Sequence, residues 1–319
     1  MWLDKIVDNL IARGLEPWMC LCYGNKLYSE DAAKVFGAVG VPPIFTDEQK
    51  NAWRNYVKAV VARYNHDETA VVSYVNALRA LCKGFNDKIV IIHGESGSQS
   101  RSGGCGAVKE GAWTPKRQAK QLLRHTMADL MAGVEFTSYF SCMDMIEALN
   151  GRVGDVASYT DFGYFGVLGA DFDEEGHSIG TYTPKMSYWA LQTISSIFAE
   201  EFCMCDIPVM LQPQESLRFF GFDCKEQEVV HQGFAKPDGS KAFVYWYPSN
   251  ILTTDYEATV TLQVAGLGNN FKLIDLMDGS VYNIPEKMIK DQGFGCYKLI
   301  NLPIKDYPML LSFYNFADV

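Results

Sequence analysis

The span with the densest chemistry in the chain runs from Asp87 to Gly104, DKIVIIHGESGSQSRSGG. An apolar run stops at a carboxylate, Glu95, and glycines and serines follow. Three chemistries are open to it. A carboxylate held rigidly at a strand end serves as a nucleophile or as a general acid/base. The same residue in a turn accepts hydrogen bonds from loop amides. Alternatively, G-E-S-G-S approaches the G-x-S-x-G elbow of esterases, with Ser96 as nucleophile. The elbow requires glycine at the fifth position and a helix directly after the serine. Ser98 occupies that position, SQSRSGGCGAV does not start a helix, and neither His177 nor His231 sits in a recognisable turn to act as base.

His93 precedes Glu95 by two residues, so a regular strand points both the same way. His93 then either lines the same site or is a satisfied core histidine. Tyr23 and Asn25 end the apolar stretch WMCLCYGN, Tyr139 and Asp144 end EFTSYFSCMD, and Arg101 and Trp113 follow Glu95 in its loop. Strand ends bearing aromatic rings beside Asn, Asp, Glu and Arg suit a carbohydrate, whose rings stack and whose hydroxyls need polar partners. Asp144 has two readings, a sugar hydroxyl or a loop amide as its partner. Tyr139 and Phe140 face opposite sides of their strand, so only one enters a site. His66, His125, His177 and His231 show no metal-ligand spacing, and the nine cysteines include no C-x-x-C pair. No metal and no cofactor are expected, and the cysteines are expected to be buried, reduced thiols.

The elements that must position these residues can be read from periodicity. Residues 2–13 have helical spacing, with Gly14 and Pro17 to stop it. Thr46 with Gln49 is a capping box ahead of a strongly periodic helix. ETAVVSYVNALRALCKGF is a further helix, and KIVIIHGE is a strand. Thr114 caps the next helix, Pro115 takes its first position and Gly133 ends it. EFTSYFSCMD reads as a strand, residues 147–183 as a long functional loop, and PKMSYWALQTISSIFAEEF as a last helix. Beyond Cys205 the texture changes to short alternating strands with Asp238-Gly239 and Asp278-Gly279 turns, the pattern of an antiparallel β-sandwich. The expected organisation is an α/β region over 1–204 with parallel strands and helical crossovers, then a sandwich over 205–319.

Composition excludes several functions. The 319 residues carry a formal charge of -10, and no Lys/Arg-rich stripe is present to meet nucleic-acid phosphates. No apolar run approaches the ~20 residues that cross a bilayer. The amino-terminal stretch is amphipathic and acidic, unlike a signal peptide, so a cytoplasmic location is the expectation.

The pieces WLDKIVDNLIARGLEPWMCLCYGNKLYS, FTDEQKNAWRNYVKAVVARY, GESGSQS, TPKRQAKQLLRHTMADLMAGVEFTSYFSCMD and IGTYTPKMSYWALQTISSIF, in this order over most of residues 2–200, resemble retaining glycoside hydrolases of clan A, of β-xylosidase-like type. The resemblance implies a (β/α)8 barrel with an attached β-sandwich, a β-linked sugar as ligand, and Glu95 as the nucleophile ending the seventh barrel strand. In that family the acid/base follows an asparagine at the end of strand four, yet no Asn-Glu dipeptide occurs here. VVARYNHDETAVVSYV runs from what resembles the third barrel helix into what resembles the sixth. By the resemblance, strands 1–2 and 4–6 are absent, and a complete barrel takes about 250 residues, more than precede Cys205. The expectation is a partial (β/α)8-type barrel with its nucleophile present and its acid/base missing, or a non-catalytic carbohydrate-binding remnant. Open strand edges would favour self-association.

Overall fold

The periodic run after His66 folds as helix α1, Glu68–Lys83, and the apolar run before Glu95 as strand β1, Ile92–Ser96. These belong to a computed structural model that describes residue 47 and residues 68–83, 90–103, 111–146, 162–173, 177–213, 228–268 and 270–317. The chain divides into two compact units, Met1–Val61 and Ala62–Val319. All of the described residues except Asp47 lie in the second. The expected helix over 2–13, the strand bearing Tyr23 and Asn25, and most of the helix after Thr46 lie outside the described residues.

Helix α2, Pro115–Ala132, has the ends its sequence specifies. Thr114 is extended and its hydroxyl accepts from the Arg117 amide at 3.2 Å, leaving Pro115 where no amide is needed. Gly133 is left-handed (φ 63°, ψ 41°) and its amide returns to the Asp129 and Leu130 carbonyls. From α1, Arg79 donates to the Gly133 carbonyl at 2.7 Å and also to that of Ala132, satisfying acceptors that a helix end otherwise leaves to water.

Strand β2, Phe136–Tyr139, returns beside β1 in parallel, so β1–α2–β2 is a right-sized crossover unit. The described α/β region holds this two-stranded parallel sheet and no closed barrel. The strand expected over 135–144 ends at Tyr139, and Met145–Ile146 forms a separate short strand, β3, paired with β4, Phe162–Gly163. The expected loop over 147–183 is also corrected. Leu168–Phe172 (β5) and Ser178–Pro184 (β6) pair as an antiparallel hairpin. Glycine and aspartate masked the strand-forming Leu, Ile, Phe, Thr and Tyr of those segments. Helix α3, Met186–Ile197, follows as expected.

From Cys203 onward the described residues form two antiparallel sheets. Cys203–Met204 (β7), Val230–Ala235 (β9), Lys241–Trp246 (β10), Phe271–Asp275 (β12), Val281–Asn283 (β13) and Met309–Phe313 (β16) make a six-stranded sheet, in the order β13-β12-β16-β10-β9-β7. Val209–Pro213 (β8), Glu257–Ala265 (β11), Ile289–Gly293 (β14) and Cys296–Lys305 (β15) make a second sheet, β14-β15-β11-β8, and every pairing in both sheets is antiparallel. Both Asp-Gly turns form, each with its aspartate accepting from the serine amide two residues on, at 2.8 Å for Asp238 and 2.9 Å for Asp278. Among the described cysteines, Cys142, Cys203, Cys205 and Cys296 are free, but none is buried; β7 is an edge strand and leaves Cys203 exposed. No helix of the described residues is long and apolar enough to cross a membrane.

One continuous core joins α2 and α3 to both sheets, running from Leu122, Leu123 and Met127 through Ile194 to Phe234, Trp246, Leu262 and Leu310. The joint is also ionic. Lys120, 1% exposed, donates to the equally buried Asp306 carboxylate at 2.7 Å and also reaches the exposed Asp255. One turn on, the buried Arg124 donates to the Ser249 carbonyl at 2.7 Å. Removing one member of a buried ion pair leaves the other charge uncompensated, whereas replacing both by apolar groups is often neutral. Lys120→Met should therefore cost about 3–5 kcal/mol in urea unfolding, and Lys120→Met/Asp306→Leu should recover most of it. Equal losses in the single and double variants would show that the pair does not join the helix to the sheets.

Candidate functional site

Glu95 stands at the carboxyl end of β1, exposed, one residue before the buried Ser96. The pairing of β1 with β2 explains how two adjacent residues come to differ so much. Ile92 pairs with Phe136 and His93 with Thr137, but Ser96 pairs with Tyr139, so β1 takes three steps where β2 takes two. The irregularity falls between His93 and Ser96, and strict alternation does not carry across it. His93 turns to α2, where its Nδ1 lies 2.7 Å from Asp129 Oδ2, while its neighbour Ile92 and the partner Phe136 are exposed.

Tyr139 lies two residues beyond Thr137, whose hydroxyl donates to Asp129 at 2.7 Å, and it also turns to the α2 side. Its ring packs against the shared core. Burial pushes its phenol up to about 12, with Ser98 and Gln118 beside the hydroxyl. Tyr139 is thus partly buried against the core.

The segment after Glu95 is fixed from below by one side chain. Gln118, fully buried on α2, directs its amide nitrogen at the carbonyls of Ser98 (3.0 Å), Phe165 (3.1 Å) and Gly166 (3.2 Å), and its Oε1 accepts from Ser187 of α3 at 2.8 Å. Two close backbone approaches complete the arrangement. A Cβ on Gly97 would lie 2.1 Å from the Phe140 carbonyl oxygen, and one on Gly166 2.1 Å from the Asp144 amide nitrogen. Neither position admits a side chain. Ser100 closes the same corner, its amide donating to the Tyr164 carbonyl at 2.9 Å and its hydroxyl accepting from Lys185 at 2.8 Å.

Asp144, expected among the sugar-binding residues, is buried and engaged. Its Oδ1 accepts from Lys185 Nζ at 2.6 Å and from the Gly166 amide at 3.0 Å, which is the loop-amide alternative of the sequence reading. Burial raises the Asp144 carboxyl above its usual range against the pull of Lys185, and burial lowers the Lys185 ammonium against the pull of Asp144. Desolvation therefore outweighs the attraction on both sides. Arg101 stays exposed, with its guanidinium 5.3 Å from the centre of the Tyr164 ring, a cation–π contact at the surface near Glu95 in sequence. Trp113 is buried, so it packs under its loop. Tyr23 and Asn25 are outside the described residues.

A second cluster was overlooked in the sequence. His125 and Asp129 are four apart on α2, hence on one face, and β1 brings His93 to them. His125 Nε2 lies 3.1 Å from His93 Nδ1 and 3.3 Å from Asp129 Oδ2. Burial raises the Asp129 carboxyl, but hydrogen bonds from His125 and His93, and their charge, win and hold it well below the usual carboxylate range. A search for Cys/His spacing missed it because the set needs a carboxylate and a residue from another element; His-x3-Asp on a helix was the available signal.

Compared with protein-family models and with curated proteins, the chain matches none.

Two outcomes follow from the buried polar contacts. Gln118→Leu keeps the volume but leaves several buried carbonyls and the Ser187 hydroxyl without their partner, so it should cost about 2–3 kcal/mol in urea unfolding, against about 1 kcal/mol for Ser187→Ala. Equal costs would mean that the carbonyls of the 98–100 and 164–166 segments find other donors. Lys185→Met leaves Asp144 buried without its cation, raising the folded-state carboxyl further above its unfolded value of 3.8. A raised carboxyl adds stability below the unfolded value and loses it as pH climbs through the folded one. The penalty of Lys185→Met should therefore be largest near neutrality and shrink as the solution is acidified toward the unfolded value. A penalty that grows on acidification would contradict the assignment.

Proposed function

We propose that Glu95 is the reacting carboxylate of a carbohydrate site, acting in the manner of a retaining glycosidase nucleophile that lacks its partner acid/base. One observation carries this reading: Glu95 is exposed at the carboxyl end of a strand in a parallel β–α–β unit, immediately ahead of a segment pinned by Gln118. Chemistry in parallel α/β folds collects at that end of the strands. The likeness of the sequence to clan A β-xylosidase-like enzymes supports the same residue and the same ligand class. Net charge of -10 is compatible with a neutral sugar.

In the proposed reaction a Glu95 oxygen attacks the anomeric carbon, the bond from that carbon to the leaving oxygen breaks, and a glycosyl ester forms. Retaining hydrolysis also needs a second carboxyl about 5–5.5 Å away to protonate the leaving group and then activate water. Asp144, the best-placed second carboxylate in the sequence, is held by Lys185 and the Gly166 amide instead. That favours an enzyme that reacts with good leaving groups and stalls, and it is also the observation behind the second reading, a carbohydrate-binding protein without catalysis.

Dinitrophenyl β-xyloside and β-glucoside separate these readings, because their phenolate departs without a proton. The expected result is a burst of one phenolate per chain, a mass increase of one glycosyl unit located on Glu95, and turnover slower than the burst by about 10²–10⁴ for want of acid/base help. Glu95→Gln should abolish burst and adduct together. Sugar binding in calorimetry without any burst would establish the binding reading. Absence of both binding and burst, in a folded chain, would overturn the proposal.

A further inference from the structure

We infer that His93, His125 and Asp129 form a binding site for one divalent transition-metal ion of the zinc type, fastening α2 to the β1–β2 sheet. Three lone-pair atoms converge here: His93 Nδ1, His125 Nε2 and Asp129 Oδ2, separated by 2.7, 3.1 and 3.3 Å. Ligands about 2.0–2.1 Å from a zinc ion lie about 2.9 Å apart at a right angle and about 3.4 Å apart at the tetrahedral angle. The observed triangle spans nearly the same range, so an ion enters with shifts of a few tenths of an ångström. Two imidazoles and a carboxylate are the donor set of many catalytic and non-haem metal sites, and nitrogen-rich sets select borderline metals over magnesium or calcium.

Two further observations point to an ion rather than to a hydrogen-bonded knot alone. Asp129 Oδ1 is buried and meets no partner among the described residues, although burying a carboxylate oxygen without one is costly. With a metal present that oxygen becomes the second arm of a bidentate ligand. The Thr137 hydroxyl already donates to Oδ2 at 2.7 Å, the outer hydrogen bond that orients a ligating carboxylate. Access exists, because His93 is 16% exposed while His125 and Asp129 are 5% and 2% exposed. The site is built on strand and helix, not on a loop, and it lies on the α2 side of β1, whereas Glu95 is exposed within the irregular stretch of that strand; it neither needs nor supplies the proposed glycosyl chemistry.

The full chain, stripped with a chelator and dialysed, should be titrated with Co²⁺ and Zn²⁺ and followed by visible absorption and calorimetry. One equivalent of Co²⁺ should develop ligand-field bands of a nitrogen/oxygen site without the thiolate charge-transfer band that binding at cysteines gives, and Zn²⁺ should displace it. His125→Gln should abolish this binding, and Thr137→Val should weaken it about 10–100-fold while leaving the spectrum unchanged. Circular dichroism reports whether each variant is folded. If His125→Gln does not fold, the wild-type spectrum and Thr137→Val decide the matter. No uptake by the folded wild type, uptake unaffected by His125→Gln, or a spectrum of thiolate ligation alone would overturn the inference.

Discussion

Helix α2 must be buried on nearly every side while carrying a polar sequence, and much of the described structure follows from that constraint. Gln118, Lys120, Gln121, Arg124, His125 and Asp129 are all buried on it. A polar group taken out of water is tolerated only when its partners are in place. The helix therefore dictates where other segments go. Lys120 and Arg124 need Asp306 and the Ser249 carbonyl from the sandwich, Gln118 needs the backbone after Glu95 and around Gly166, and Asp129 needs His93 and Thr137 from the parallel strands. Apolar burial supplies the gross driving force, and these directional contacts choose one arrangement among the many that a greasy helix would allow.

This dependence links fold to function. Glu95 lies between two things that α2 fixes, His93 before it and Ser98 after it. A carboxylate that is to meet a ligand in one geometry needs such support on both sides, because a loop residue without it samples many orientations. The irregularity in β1 does the rest, separating a residue bound into the interior from one left at the surface. The two antiparallel sheets share one core with α2 and α3.

The sequence was most legible where the determinants are local. Thr114, Pro115 and Gly133 marked both ends of α2, and the Asp-Gly pairs at 238–239 and 278–279 marked two turns of the sandwich. It was least legible where the deciding partner is distant. Nothing near Asp144 announces Lys185, and nothing near Gln118 announces the carbonyls of 165 and 166. The extra residue in β1 is likewise invisible without β2 alongside, and so is the approach of His93 to His125 and Asp129 on α2. Alternation along a single strand does not hold through the irregular stretch between His93 and Ser96. Glycine-rich composition misled differently, hiding the β5–β6 hairpin inside an apparent loop.

The central claim is that α2 is a structural part of the sandwich as much as of the parallel strands. Native-state amide hydrogen exchange measures this directly, since segments that open together share one opening free energy. The account predicts that amides in the middle of α2, around Leu122–Met127, exchange only through the same opening as those of β10 and β16. Exchange of the α2 amides through a separate, much lower-energy opening, with β10 and β16 still protected, would contradict it.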